Sequence, residues 1–388
     1  MVNEGRRDAK IRLGMVGGGE GALIGGVHRI AARLDGHYEL VAGALSATPE
    51  KAQRSGAALG LAPDRIYDDY ATMARAEAAR PDGIEAVVIV TPNHEHAGPT
   101  YAFLKAGVHV ICDKPLTLDL AEARKMREAV RASGRIFALT HNYTGYPLVR
   151  RMREMARGGE LGVLRLVQVE YPQDWLSGPV EASGNKQAEW RVDPARSGAG
   201  GSLGDIGTHA YNLADYVTGL ELSELCAELT SFGAGRRLDD NVQMLLRYAH
   251  GARGGLWASQ VAPGHENGLR LRVYGTKGGV EWVQANPNYL SYSPLGESTR
   301  TITRGGPGSG DAAARVTRVP GGHPEGFLEG FANLYYDVAL AIKAARTGDK
   351  PPAESHFPDI EDGVKGLAFI EAAVKSSQAN GAWTALAI

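Results

Sequence analysis

The tightest constraint on this 388-residue chain is a rhythm in its first third. Short apolar runs at 11–16, 40–45, 86–90, 108–112 and 135–140 alternate with helix-like stretches at 49–59, 68–79, 94–106 and 118–132. A run as short and as uniformly apolar as Ala86-Val87-Val88-Ile89-Val90 is a strand buried on both faces, as parallel sheets covered by helices require. Parallel neighbours cannot be joined by a tight turn, and the helical stretches supply the crossovers. The expectation is an α/β domain with a doubly wound parallel sheet. Pro49 suits the first helical position, where its missing N–H costs nothing, and Thr48 before it is expected to cap.

The pattern changes after about residue 145. A helix is expected over 145–157. Longer strand-like runs follow at 164–171, 222–232, 242–248, 255–261, 269–274 and 280–283, with Gly-rich turns between them, and read as an antiparallel sheet. Helices are expected over 205–217, 325–346 and 358–378, and an exposed Gly-rich loop over 303–314. The chain is therefore divided into a doubly wound domain, 1–143, and an α+β domain, 144–388.

Composition removes several classes of partner. A net charge of −2 provides no basic field to gather nucleic acid or an anionic membrane. Cys112 and Cys226 form no CxxC or Cys/His cluster, so neither a metal site nor a disulfide framework is expected. A reducing cytoplasm fits that usage. The polar start, MVNEGRRDAK, lacks the apolar core of a signal peptide, and no apolar run is long enough to span a bilayer.

The first apolar run leads into Gly17-Gly18-Gly19-Glu20-Gly21-Ala22, then Leu23-Ile24-Gly25-Gly26-Val27-His28. Glycines there let the backbone turn sharply and approach a pyrophosphate, which then meets a helix N-terminus. Gly17-x-Gly19-x-x-Ala22 fits a loose dinucleotide fingerprint. Gly25 is the alternative third glycine if the loop carries an insertion. NAD binders usually place a carboxylate at the end of the second strand. This chain has Ser46 there and Lys51 nearby, which suit a ribose phosphate and favour NADP over NAD.

Three further segments carry chemistry: Thr91-Pro92-Asn93-His94, Cys112-Asp113-Lys114-Pro115-Leu116, and Gly204-Asp205-Ile206-Gly207-Thr208-His209. Asn142-Tyr143, Trp190-Arg191 and His323-Pro324-Glu325-Gly326 accompany them in order. With these the chain resembles the glucose–fructose oxidoreductase / inositol dehydrogenase (Gfo/Idh/MocA) family over nearly its whole length. The resemblance implies a Rossmann domain and a second domain with a large, mostly antiparallel, open-faced sheet that commonly forms a homodimer or homotetramer interface.

The family's Glu-Lys-Pro falls on Asp113-Lys114-Pro115, with the carboxylate arm one methylene shorter. Its Asp-x-x-x-His falls on Asp205 and His209, a spacing that puts both side chains on one helix face. The implied cofactor set is Gly17, Gly19, Gly25, Ser46, Lys51, Thr91, Pro92, Asn93, His96, Asp113, Lys114, Asn142, Trp190 and Arg191. The implied substrate set is Lys114, Tyr143, Gln173, Asp174, Trp175, Asp205, His209 and His323, with Lys186, Asn241 and His265 as lesser candidates. Oxidising a secondary alcohol removes a proton from oxygen and a hydride from carbon. His209 suits the base, Lys114 the developing charge on oxygen, and Asp205 a substrate hydroxyl. The expected activity is an NAD(P)-dependent dehydrogenase of a sugar, anhydrosugar, glycoside or cyclitol. The alternatives are an NAD-dependent glycoside hydrolase working by transient oxidation and a non-catalytic sugar or nucleotide sensor.

Overall fold

The structure is a computed structural model and describes residues 9–183 and 193–388. It comprises two compact units. The first gathers Met1–Thr117, Ala121–Gly145 and Phe327–Val364; the second gathers Leu118–Leu120, Tyr146–Gly326 and Lys365–Ile388.

Among the described residues, the first unit holds a five-stranded parallel sheet: β1 (Ile11–Gly17), β2 (Tyr38–Ala44), β3 (Ala86–Val90), β4 (His109–Cys112) and β5 (Phe137–Leu139). Their order, β2-β1-β3-β4-β5, is that of a doubly wound sheet, with every neighbouring pair parallel. All five residues of β3 are buried, as its lack of alternation requires. Each such branched side chain contributes roughly 1.5–3 kcal/mol by leaving water. One face of the sheet meets the helix Leu23–Leu34 and a helix from far along the chain, Phe327–Thr347. Phe331, Tyr335, Val338 and Ile342 of the latter join Met15, Val88 and Ile111 in one core. Tyr38 Oη donates to the Tyr335 carbonyl at 2.9 Å and secures that return.

Thr48 does not cap the helix Pro49–Ala58 with its side chain. Ser46 Oγ instead accepts the Thr48 N–H at 3.1 Å. That bond closes a local turn ahead of the helix and leaves the N–H groups of its first turn without a side-chain cap.

The second unit is built on a nine-stranded sheet among the described residues: β6 (Leu164–Pro172), β7 (Leu222–Thr230), β8 (Asn241–Tyr248), β9 (Arg253–Ser259), β10 (Arg270–Gly275), β11 (Gly278–Val283), β12 (Tyr289–Pro294), β13 (Arg300–Thr303) and β14 (Thr384–Ala385). The order is β13-β12-β11-β10-β6-β9-β8-β7-β14. Only the β6–β9 pair is parallel. Period-two alternation sets the two faces: Val242, Met244, Leu246 and Tyr248 of β8 point inward, while Gln243 and Leu245 point out. The helices Pro147–Arg157 and Thr208–Thr218 cover the inner face. The stretch expected as an open loop, 303–314, begins with the last residue of β13 and ends in the helix Gly310–Ala314. Ala313 is buried there, and Arg151 Nε donates to the Gly308 carbonyl at 2.9 Å.

Candidate active site

β1 delivers the chain to Gly17 and Gly18 at φ +77° and +71°, left-handed conformations that a side chain resists. Gly25, in the helix Leu23–Leu34, lies against Gly18, where a Cβ would overlap the Gly18 Cα and carbonyl oxygen. Of the two alternatives for the third glycine, the close helix–strand approach selects Gly25. Ala22 is instead the residue at the helix cap. The loop is pinned from several sides. Arg29 Nη1 donates to the Gly18 carbonyl at 2.6 Å, Gly19 N–H to the Leu45 carbonyl at 3.2 Å, and Glu20 N–H to Ser55 Oγ at 3.0 Å. No side chain caps the helix at Ala22. Its first N–H groups and a glycine backbone free of Cβ atoms suit an anionic pyrophosphate.

The ends of β3, β4 and β5 are joined by polar bonds. Asp113 Oδ1 accepts from Lys114 N–H and from Thr140 Oγ1, each at 2.9 Å. The shortened carboxylate thus spans two strand ends with Lys114 beside it, and both Asp113 and Lys114 are half-buried. His96 is fully buried, with Nδ1 2.8 Å from the Pro115 carbonyl and Nε2 3.0 Å from the Thr91 carbonyl. It therefore braces the loops after β3 and β4 and presents no open face. Thr91 Oγ1 donates to the Glu95 carbonyl at 3.2 Å, closing the turn that holds Pro92 and buried Asn93. Burial, and then the Lys114 ammonium, push the His141 imidazole down to about 3, so this ring is neutral near pH 7. Asn142 and Tyr143 are buried in the next turn. The Asn142 Nδ2 is an unspent buried donor among the described residues. That donor, together with the glycine cradle, fits a dinucleotide.

In the second unit, Asp205 lies in a π-helical turn, Leu203–Gly207, which runs directly into Thr208–Thr218. Such turns recur at functional sites. Asp239 holds the start of this segment by accepting from Gly201 N–H at 2.7 Å, Ser202 Oγ at 2.7 Å and Leu203 N–H at 2.8 Å. His209 is 8% exposed, and its ring centroid lies 6.3 Å from that of Tyr171 on β6. Asp205 Oδ2 accepts from Gln260 Nε2 at 2.9 Å. Asp205 and His209 are thus carried by one continuous helical segment, whereas Lys114 belongs to the first unit.

Tyr171 Oη and Gln173 Nε2 both donate to Asn267 Oδ1, at 2.7 and 2.8 Å, and Trp175 Nε1 donates to Gln173 Oε1 at 3.1 Å. The polar atoms of Gln173 and Trp175 are engaged with each other and with Asn267. Asp174 Oδ2 accepts from Gly264 N–H at 3.4 Å. His323 is exposed, and its carbonyl accepts from the buried Arg304 guanidinium, which also donates to Glu325 at 3.1 Å. Gln260 and Asn267 carry no motif. Gln260 directly follows β9, and Asn267 lies in the loop between β9 and β10. Trp190, Arg191 and Lys186 lie outside the described residues.

A doubly wound sheet with a glycine-cradled helix start, followed by a domain carrying Asp-x-x-x-His, defines a dinucleotide-dependent oxidoreductase class. The "oxidoreductase family, NAD-binding Rossmann fold" model matches residues 11–141, and the "GFO/IDH/MocA C-terminal domain" model matches 149–281. The chain belongs to the Gfo/Idh/MocA oxidoreductase family. It is similar to the crystal structure of an oxidoreductase from Sinorhizobium meliloti, with 57% identity, a TM-score of 0.88, and 97% of this chain and 99% of that chain covered. An inositol dehydrogenase homolog from Azotobacter vinelandii, complexed with NAD+, is 39% identical at TM-score 0.92, with 97% of each chain covered. The same protein complexed with NADH and myo-inositol is 38% identical at TM-score 0.89, with 98% of each chain covered. Levoglucosan dehydrogenase from Pseudarthrobacter phenanthrenivorans is 29% identical over 70% of this chain and 73% of its own.

Proposed function

We propose that this oxidoreductase oxidises a secondary hydroxyl of a cyclitol, sugar, glycoside or anhydrosugar, or reduces the matching ketone. The observation that carries the reading is the Asp205–His209 pair on one helical segment, with a buried imidazole and a tethered carboxylate. A nicotinamide dinucleotide, when bound, supplies the hydride acceptor or donor. Gly17, Gly19, Gly25, Ser46, Lys51, Thr91, Pro92, Asn93, Asp113 and Asn142 are the described residues that would hold it, with His96 bracing their loops.

His209 takes the hydroxyl proton as general base, a role worth roughly 10²–10⁴ in rate. Lys114 stabilises the negative charge that develops on that oxygen. Asp205 accepts a hydrogen bond from a second hydroxyl and so orients the ring. Gln173 and Trp175 contribute apolar and backbone surface more than free polar groups, because their polar atoms are bonded to each other and to Asn267, while Asp174 keeps acceptor capacity for a substrate hydroxyl. Tyr143 and His323 complete the proposed substrate set.

The relatives complexed with NAD+ or NADH support NAD(H), against the NADP preference read from Ser46 and Lys51. Leu166, Leu245 and Tyr274 are exposed on the outer face of the second unit's sheet, which supports assembly of copies through that face.

The test is reduced-nicotinamide absorbance from the purified protein with myo-inositol, levoglucosan, glycosides and free sugars, with NAD and NADP in parallel. Cofactor reduction with one polyol class is expected. Release of an aglycone without accumulating reduced cofactor would favour the glycosidase chemistry. Cofactor binding without turnover of any polyol would overturn the dehydrogenase reading in favour of a sensor.

A further inference from the structure

Gln260 follows β9 directly and is 2% exposed. Its backbone is fixed on both sides: the N–H donates to the Asp240 carbonyl at 2.8 Å, and the carbonyl accepts from Leu176 N–H at 2.9 Å. Its carboxamide donates from Nε2 to Asp205 Oδ2 at 2.9 Å. Asp240 is buried and accepts from Phe232 N–H, Gly233 N–H and Arg236, so the support beneath Gln260 is itself rigid. Its neighbour Asp239 ties down Gly201, Ser202 and Leu203, the residues that lead into the turn carrying Asp205. Two consecutive aspartates at the foot of β8 therefore hold that turn from the sheet. One acts on the backbone ahead of Asp205, and the other acts through Gln260 on the Asp205 carboxylate.

We propose that Gln260 is a positioning residue that sets the orientation in which Asp205 presents its carboxylate to a substrate hydroxyl, and so helps decide which polyol is accepted. The proposal rests on the reading of Asp205 as a substrate-binding group. An ionised carboxylate only accepts hydrogen bonds, and an amide N–H donated to one oxygen fixes the carboxylate plane. A carboxamide also keeps its donor at every working pH. Asp205 needs such a partner because a π-helical turn is wider and less regular than the α-helix after it. A glutamate of the same shape would supply a donor only when protonated. The elements packed around the pair in this unit carry Asp239 and Asp240 just ahead of β8, Arg247 and Tyr248 on β8, Arg253 on β9, Arg165, Glu170 and Tyr171 on β6, and His209, Tyr211, Asp215 and Tyr216 on the helix Thr208–Thr218.

The test compares wild type, Gln260→Leu and Gln260→Glu in full-length protein, with kcat and KM measured for the polyol that wild type turns over. Cofactor binding and melting temperature are measured beside them. For Gln260→Leu the expectation is unchanged cofactor affinity and a kcat/KM lower by about tenfold to a hundredfold, carried mainly by KM. For Gln260→Glu the same loss is expected at about pH 8, with partial recovery at about pH 6, because burial and the facing Asp205 carboxylate raise the acid's pKa and return its O–H donor. Wild-type kcat/KM in Gln260→Leu, or a Gln260→Glu pH profile parallel to wild type, would overturn the positioning role. Absence of turnover in wild type would instead count against the dehydrogenase reading. The Gln260–Asp205 pairing is then read by melting alone. Gln260→Glu should gain stability relative to wild type as pH falls, and an unchanged difference would refute the pairing.

Discussion

The buried histidine at the start of β4 makes the first unit sensitive to acid in a way that can be calculated. His109 is 7% exposed, and its Nδ1 accepts the Ile136 N–H at 2.8 Å, at the join between β4 and β5. Burial is the main cause that pushes its imidazole from 6.5 down to about 4, with the Arg135 guanidinium adding to it. Protonating Nδ1 would set two donors face to face. Because the folded pKa is lowered, the unfolded chain binds more protons between about pH 6.5 and 4, and stability falls as pH falls through that window. At pH 5 the ring is 1.5 units below its unfolded pKa, which costs about 2 kcal/mol at about 1.4 kcal/mol per unit. The loss levels off at roughly 3 kcal/mol below pH 4. Asparagine offers Oδ1 to the same N–H without titrating, so His109→Asn isolates the effect. Amide exchange of β4 and β5, corrected for intrinsic rates, reports opening of this unit. Between pH 7.5 and 5, the wild type should lose about 2 kcal/mol more protection than His109→Asn. Equal losses in the two proteins would refute the reasoning.

His209→Ala should lower kcat by about 10²–10⁴ and remove the limb of the pH–rate profile that reports the base; an unchanged profile excludes His209 from that role. Gly25→Ala should cost on the order of 1–3 kcal/mol and weaken dinucleotide binding, because its Cβ meets the Gly18 backbone; melting and cofactor titration read both. Ser46→Asp should shift selectivity toward NAD by placing a carboxylate at the end of β2, as the ratio of kcat/KM values for NAD and NADP would report.

The first unit's strands are legible because a doubly covered parallel sheet demands unbroken apolar runs, and β3 matches its apolar run residue for residue. The edge of the second sheet is less so. In β12 only Leu290 is fully inside, and β14 is two residues long, so neither leaves a clear alternation. The return of Phe327–Thr347 to the first unit has no local signature, since an apolar helix face does not name its partner. The i, i+4 spacing of Asp205 and His209 marks a shared face but not the wider turn beneath Asp205. The third glycine stays ambiguous in the sequence because both Ala22 and Gly25 suit the loose fingerprint, and the contact with Gly18 distinguishes Gly25 from Ala22. Gln260 and Asn267 act through long-range hydrogen bonds, which no spacing encodes.

The most direct test of the central claim is a comparison of wild type and Lys114→Ala with the polyol that reduces the cofactor. Dinucleotide affinity and absorbance change are measured on the same samples. The account predicts cofactor binding close to wild type with turnover abolished, because the charge on the reacting oxygen is no longer met. Turnover close to wild type in Lys114→Ala would contradict it.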